Sequence, residues 1–356
     1  MVHAPAPFDV SIPVRVNLYS DTQTRPSHAM KMAMVEAELG DEQSGSDPTI
    51  NALCSRMAAL LGKEAAVFMP TGTMCNEVAI LTQCRPGDEI LAHHTAHILS
   101  SEGGAPWALA GAQVTGLPGE SGMFGLEALE AAARSSSRYS PPQRMVEVEQ
   151  TANLGGGAVW STRALNEVAD WAHARGMVTH MDGARLMNAV VASGESAAAM
   201  AAGYDTVWLD FTKGLGAPVG AVLAGTEEFI GQAWRWKQRV GGAFRQGGIV
   251  AAACLYALDH NIERLAEDHA HARALARAVS QIPGLVAETP ATNLVYFDTS
   301  GSGMTADQVA HAARGHGVLI SVMGTHRCRA CTHLDVDAAG IAEAVAVLRE
   351  VVRHAS

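Results

Sequence analysis

The chain has 356 residues, 48% of them hydrophobic and 17% charged, which supplies ample material for a core and exceeds one small domain. A net charge of −11 argues against nucleic acid or an anionic membrane surface as the main partner. An anionic ligand would therefore need local positive charge, from a few placed arginines or from helix N-termini. The six cysteines (Cys54, Cys75, Cys84, Cys254, Cys328 and Cys331) are too sparse for a disulfide framework. The N-terminus, MVHAPAPFDVSIPVRV, lacks the basic start and apolar run of a secretory signal. No stretch approaches the ~20 apolar residues of a membrane span. The expectation is a reduced, cytoplasmic protein.

In chain order, residues 1–28 read as an irregular arm, with prolines and no helical period. From residue 29 helical segments alternate with short apolar runs. Ile50–Leu61 has a helix pattern with a stop signal at Gly62. Glu64–Met69, Glu89–Ala92, Met145–Glu149, Met177–Met181 and Thr206–Phe211 read as strands. Gly125–Ala133 and Arg163–Arg175 read as helices among them, and Ser135–Ser140 with Pro141 and Pro142 as a surface loop. Buried strands separated by helices predict an α/β fold with a mostly parallel central sheet, whose ligands sit beyond the carboxyl ends of the strands. A helical region from about Ile249 to Ile282 follows. The chain ends in a helix over Asp337–His354, where Ile341, Val345, Leu348 and Val352 recur behind an Asp337 N-cap. This divides the chain into the arm, a large domain over 29–250 and a smaller C-terminal α+β domain over 251–356.

Three elements carry chemistry. In TVWLDFTKGLG, Lys213 directly follows a strand and sits among apolar residues and glycines. Burial lowers a lysine's pKa and fits it to act as a Schiff-base amine, whereas an ordinary lysine lies on a solvated helix face. In VTHMDGARLMNA, Asp182 ends a strand and can pair with a protonated pyridine nitrogen; the plainer reading is a helix N-cap. In PTGTMCNEVAIL, Gly72 and Thr73 lie between a strand and a helix, where backbone amides bind phosphate, although an ordinary capped turn has the same look. The segment HRCRACTH places Cys328, Cys331, His326 and His333 at ligand-like spacing, but no second CxxC exists, and no metal is expected.

These elements, in this order, resemble the low-specificity L-threonine aldolases, members of the β-eliminating lyase group with the aspartate aminotransferase fold. The resemblance runs from about Asn17 to Val352 through NLYSDTQTRPS, GDEQSGSDPTINAL, PTGTMCNEVAI, HILSSEGGAPWALAG, EQTANLGGG, HMDGARLMNA, FTKGLGAPVGA, GGAFRQGGIVAAACLYAL and RACTHLDV. It implies a pyridoxal 5′-phosphate enzyme that cleaves L-β-hydroxy-α-amino acids to glycine and an aldehyde. An amino-acid racemase or β-eliminating lyase on the same scaffold is the alternative. By position it implies that Lys213 forms the Schiff base, Asp182 binds the pyridine nitrogen, and Gly72 and Thr73 hold the phosphate. Arg245 would reach a neighbouring subunit's phosphate, and His97 would stack on the cofactor ring near the substrate hydroxyl. Ser20, Arg185 and Arg329 match positions that hold the substrate carboxylate, and Glu102 matches an acidic residue of the segment after His97. A homodimer or homotetramer with active sites at the subunit interface is implied too. Two positions depart from the family: Ser44 stands where a Tyr is usual, and Ala152 where a His is usual. Both remove bulk, which points to a wider pocket for larger substrates of the phenylserine type.

Overall fold

The computed structural model describes residues 12–353. They form two compact units, residues 24–266 and residues 12–23 together with 267–353. Strand β1 (Val16–Asn17) belongs to the smaller unit.

The larger unit is built on a seven-stranded sheet. Its strands are β2 (Ala65–Met69), β3 (Glu89–His93), β4 (Gln113–Leu117), β5 (Gln143–Glu149), β6 (Val178–Gly183), β7 (Thr206–Asp210) and β8 (Ala221–Gly225), in the spatial order β2-β8-β7-β6-β5-β3-β4. From β7 across to β4 every pairing is parallel, and β8 runs antiparallel to both β7 and β2. All five strands expected from the sequence form within a residue or two of their expected bounds. The antiparallel β8 was not among them: AVLAG is a short apolar run with no alternation, and its direction depends on the connection before it.

Strands β7 and β8 are buried along their whole length, so both sheet faces must be covered. On one face Phe68, Val146, Met181, Val207 and Val222 pack with Leu53, Met57 and Leu61 of the helix Pro48–Leu61. That helix starts where Asp47 Oδ1 accepts the Ile50 amide at 3.0 Å, and stops at Gly62, whose φ of 64° suits glycine. On the other face Val67, Met69, Trp208 and Leu223 pack against the helices Gly72–Gln83 and Glu227–Arg239. The helical region expected over Ile249–Ile282 consists of two helices, Gly248–His260 and Leu265–Val279. Asn261 ends the first, and its side-chain amide donates to the Leu215 carbonyl at 2.8 Å.

The smaller unit pairs β1 in parallel with β11 (Val318–Leu319) and carries an antiparallel sheet of β9 (Val286–Ala287), β10 (Leu294–Asp298), β12 (Ser321–Val322) and β13 (Arg327–Cys331). Val295 and Phe297 meet Leu348 and Val352 of the last helix, Ala338–Arg353, in its core. Cys328 faces this core and Cys331 faces Leu294 and Tyr296 on the other side of β13. His333 Nε2 lies 2.9 Å from the Asn17 carbonyl and His326 Nδ1 3.3 Å from that of Met304, so the four ligand-like side chains do not converge.

One buried ion pair secures the segment 41–46. Lys237 and Glu42 pair with side chains essentially inaccessible to water, and the Phe244 amide donates to the second Glu42 oxygen at 2.7 Å. Burial depresses the Lys237 pKa and the Glu42 charge works against that shift. Lys237→Met should lower the unfolding free energy by about 3–5 kcal/mol, because it strands a buried carboxylate. The neutral pair Glu42→Gln with Lys237→Met should recover most of that loss in denaturant titrations.

Candidate active site

The carboxyl ends of β5, β6 and β7 bring a row of polar side chains to the face covered by the helix Gly72–Gln83. Alternation along β6 turns His180 and Asp182 to this face. The strand register sets Glu149 beside Asp182 on one side and Trp208 on the other. One row deeper, Glu147 and Thr206 flank His180. Gly183 permits the close approach of β6 to β7, since a Cβ there would lie 2.0 Å from the Trp208 carbonyl oxygen.

Asn76, fully buried in the helix, joins the row together. Its Oδ1 accepts the Trp208 indole N–H at 2.6 Å and the His180 Nε2–H at 3.0 Å. Its Nδ2 donates to Asp182 Oδ2 at 2.9 Å and to Glu102 Oε1 at 2.7 Å. The indole can only donate, so the orientation of the amide is settled and both N–H bonds must point at carboxylates. Burial depresses the His180 pKa to about 3. The ring is therefore neutral, with Nε2 protonated toward Asn76 and Nδ1 accepting from Thr206 Oγ1 at 2.8 Å.

Asp182 is 1% exposed, and its second oxygen accepts the Ala184 amide at 3.0 Å. Burial raises its pKa, while His97, Asn76 and Lys213 pull the other way. An oxygen of Asp182, an oxygen of Glu102 and a ring nitrogen of His97 lie within 4.8 Å of one another. His97 opens the short helix His97–Ser100, and its Nδ1 sits 2.8 Å from Glu102 Oε1. Burial opposes protonation of His97, but the Glu102 hydrogen bond and the charges of Asp182, Glu102 and Glu149 outweigh it and raise its pKa.

Lys213 follows β7 in the connection to β8. It pairs with Asp210, whose other oxygen accepts from Thr212 N at 2.9 Å and Thr212 Oγ1 at 2.8 Å, and its Nζ lies 5.8 Å from the Trp208 ring centre. The helix Gly72–Gln83 begins with Thr71 Oγ1 capping the Met74 amide at 3.2 Å. The amides of Gly72 and Thr73 then precede the first intrahelical bonds and can receive an anion. Gly72 has to be glycine, because a Cβ would sit 2.2 Å from the Trp208 ring. The site thus combines an anion-binding helix start, a buried carboxylate for a cation, an amine, and an imidazole on a carboxylate.

Lys213, Asp182, Gly72, His97 and Glu102 thus come together in the larger unit. Arg185 lies two residues past the end of β6, is 4% exposed, donates its amide to the Gln150 carbonyl at 3.1 Å and bears electrostatically on Glu149. Arg245 lies apart from them, exposed, with Nη1 3.1 Å from Asp41. Ser20 and Arg329 belong to the smaller unit and gather around Tyr19: Arg329 Nη2 donates to the Tyr19 carbonyl at 3.4 Å, and the Ser20 hydroxyl accepts from Thr22. Ser44 is exposed and bonds within its own turn, to the Asp41 carbonyl and the Ser46 hydroxyl. Ala152 is 2% exposed in a bridge with Ala158 and packs against Gly122, so it lines no open space in this unit. Any widening at the substrate end rests on Ser44.

Asn76, His180, Trp208, Glu77, Glu147 and Glu149 are the members that sequence reasoning missed. The one available signal is polar residues inside apolar runs, as in MVEVE and VTHMD, which demands buried partners without naming them.

Residues 17–302 match the β-eliminating lyase family. The chain is 36% identical over 332 residues to the low specificity L-threonine aldolase of Escherichia coli, covering 93% of this chain and 97% of that protein. Its fold superposes on the threonine aldolase of Leishmania major with a TM-score of 0.82 at 20% identity, covering 95% of this chain and 99% of that one. It also superposes on the aspartate aminotransferase of Rhizobium meliloti with a TM-score of 0.69 at 16% identity, covering 96% and 92%.

Asn76→Leu should strand the partners of all four bonds. At about 1–3 kcal/mol for each buried polar group left without a partner, the loss should exceed about 3 kcal/mol of unfolding free energy. Ser44→Ala, on an exposed turn, should stay within about 0.5 kcal/mol in the same titration.

Proposed function

The chain belongs to the β-eliminating lyase family, and we infer that it is a pyridoxal 5′-phosphate-dependent carbon–carbon lyase of threonine aldolase type, which cleaves L-β-hydroxy-α-amino acids to glycine and an aldehyde. The observation that carries this reading is the joined set Asp182, Asn76, Glu102 and His97 beside Lys213 and the Gly72 helix start. The fold is that of the aspartate aminotransferases.

The residues present fit the cofactor. The helix start at Gly72 and Thr73 would hold the phosphate, with Arg245 of a neighbouring subunit; the exposure of Arg245 supports that assignment. Asp182 is a buried carboxyl whose ionised form needs a cation, and it would hold the pyridine nitrogen. Lys213 would hold the aldehyde carbon, after release from Asp210, and His97 would lie against the ring. When bound, the cofactor supplies an electron sink for the pair left by the broken Cα–Cβ bond.

The chain's own groups do the rest. Arg185 grips the planar substrate carboxylate through parallel hydrogen bonds and so orients the bond to be broken. Ser20 and Arg329 are proposed for the same carboxylate on the resemblance of their segments alone. His97 Nδ1–H is held by ionised Glu102, which leaves Nε2 as the basic position. There it removes the β-hydroxyl proton as the aldehyde departs, and Glu102 stabilises the imidazolium that results. A homodimer or homotetramer in the cytoplasm completes the proposal. Among the described residues no helix is long and apolar enough to cross a membrane.

The test is a panel of β-hydroxy-α-amino acids in both diastereomers, assayed for aldehyde and glycine together. Wild type should release both in equal amounts, whereas racemisation or β-elimination yields no glycine. Lys213→Ala should lose turnover and the cofactor's Schiff-base absorbance together. His97→Asn should lower kcat by about 10²–10⁴-fold, the usual range for a general base. If threonine is cleaved faster than every phenylserine-type substrate, Ser44 does not widen the pocket.

A further inference from the structure

Part of the polar cluster has no assigned task. Glu102 spends Oε1 on Asn76 and His97, while its Oε2 is buried and receives no N–H or hydroxyl among the described residues. Glu77 follows Asn76 on the helix Gly72–Gln83, is 5% exposed, and both of its oxygens are in the same condition. The Glu77 carboxyl lies within hydrogen-bond reach of Glu102. Two carboxylates at that separation in a dry interior cannot both stay ionised, and a single shared proton gives one Glu77 oxygen and Oε2 of Glu102 a partner at once. The charge belongs where the donors are. Glu102 has Asn76 and His97, and Glu77 has neither.

We propose that Glu77 is a positioning residue that stays un-ionised at neutral pH and donates its O–H to Glu102 Oε2, keeping the negative charge on Glu102 and its Oε1 edge turned to His97. This rests on His97 being the base assigned above. Around the Glu102–His97 pair stand Asp182 and His180 from β6, Glu147 and Glu149 from β5, and Lys213 from the connection after β7. Three further carboxyls thus crowd the pair, and a charge on Glu77 would add to the repulsion among them. Burial, reinforced by Glu102, pushes Glu77 up to about 9. Burial also pushes Glu147 upward, and Glu147 serves as the control because it is fully buried with no donor among the described residues.

The sign of the linkage follows. Native Glu77 keeps a proton that the unfolded chain gives up in the ordinary glutamate range. Glu77 therefore weighs against the folded state increasingly as pH rises from that range to about 9, and not at all below it. Glu77→Gln keeps a donor for Glu102 with no proton to retain. On the holoenzyme, Glu77→Gln should melt with wild type near pH 4 and progressively above it toward about pH 9. Infrared difference spectra at neutral pH should show a carbonyl stretch of un-ionised carboxylic acid that Glu77→Gln removes and that is distinct from the one removed by Glu147→Gln. In the pH profile of kcat/KM, Glu77→Gln should leave the acidic limb in place. Glu77→Leu, which strips the donor from Glu102, should strengthen its hold on the imidazolium and move that limb to higher pH.

A Glu77→Gln enzyme no more stable than wild type at alkaline pH, or an acid carbonyl band untouched by the substitution, overturns the proposal. The melting and infrared readings need no turnover. They can fail while aldehyde release stands, and hold even if the lyase reading fails. If Glu77→Leu does not fold, these two readings on Glu77→Gln still decide.

Discussion

A single buried amide, Asn76, sets the order of the site. Its two acceptor positions are taken by a donor-only indole and a neutral imidazole, and its two donor positions by carboxylates. With every valence used, no rearrangement is available that does not strand a group out of reach of water. From this one orientation follow the tautomer of His180, the N–H bonds that Asp182 and Glu102 receive, and through Glu102 the Nδ1–H edge of His97. The imidazole that can take a proton and the carboxylate that can hold a ring cation are thus set by the same side chain, although they come from segments far apart in the chain.

The cost of this arrangement is a concentration of acid. Glu77, Glu102, Glu147, Glu149 and Asp182 share a region with little water, and the positive charges at hand are His97, Lys213 and Arg185. Burial and mutual repulsion push Glu149 to about 7 and Glu147 well upward, so part of the set stays protonated near neutrality. A protonated carboxyl is a donor as well as an acceptor, which lets such a cluster satisfy itself internally. A bound ring cation beside Asp182 would add a charge of the sign this region lacks.

The parts of this that the sequence made legible are those that obey a local rule. The helix Pro48–Leu61 announces itself by period and Gly62. Strands β2, β3, β5, β6 and β7 are apolar runs of the right length, and Lys213 and Asp182 stand out because they follow such runs. The helix Gly72–Gln83 is different. From Cys75 to Thr82 every residue is buried, so it has no solvated face against which Asn76 and Glu77 could be recognised as inward-pointing. Their partners lie on β6, β7 and the segment after His97, which no local pattern predicts. Ala152 marks another limit: lost bulk reads from sequence as a wider pocket, whereas in this unit the residue lies buried beside Gly122.

The antiparallel β8 completes the argument for Lys213. If β7 led into a crossover helix, as the other parallel strands do, the residue after its carboxyl end would open that helix and face a solvated layer. A return to an adjacent antiparallel strand keeps the connection at the carboxyl end of β7, between two interior strands buried throughout. The Phe211 amide bonds the Gly220 carbonyl, the Ala217 amide bonds the Phe211 carbonyl, and Asn261 holds the Leu215 carbonyl, so the lysine's backbone is fixed from several directions. Only its flexible stem is left free to turn from Asp210 toward the row at the end of β6. An amine proposed to change partners needs a rigid base and a mobile tip, and a connection tied at three carbonyls with Lys213 at its start suits that proposal.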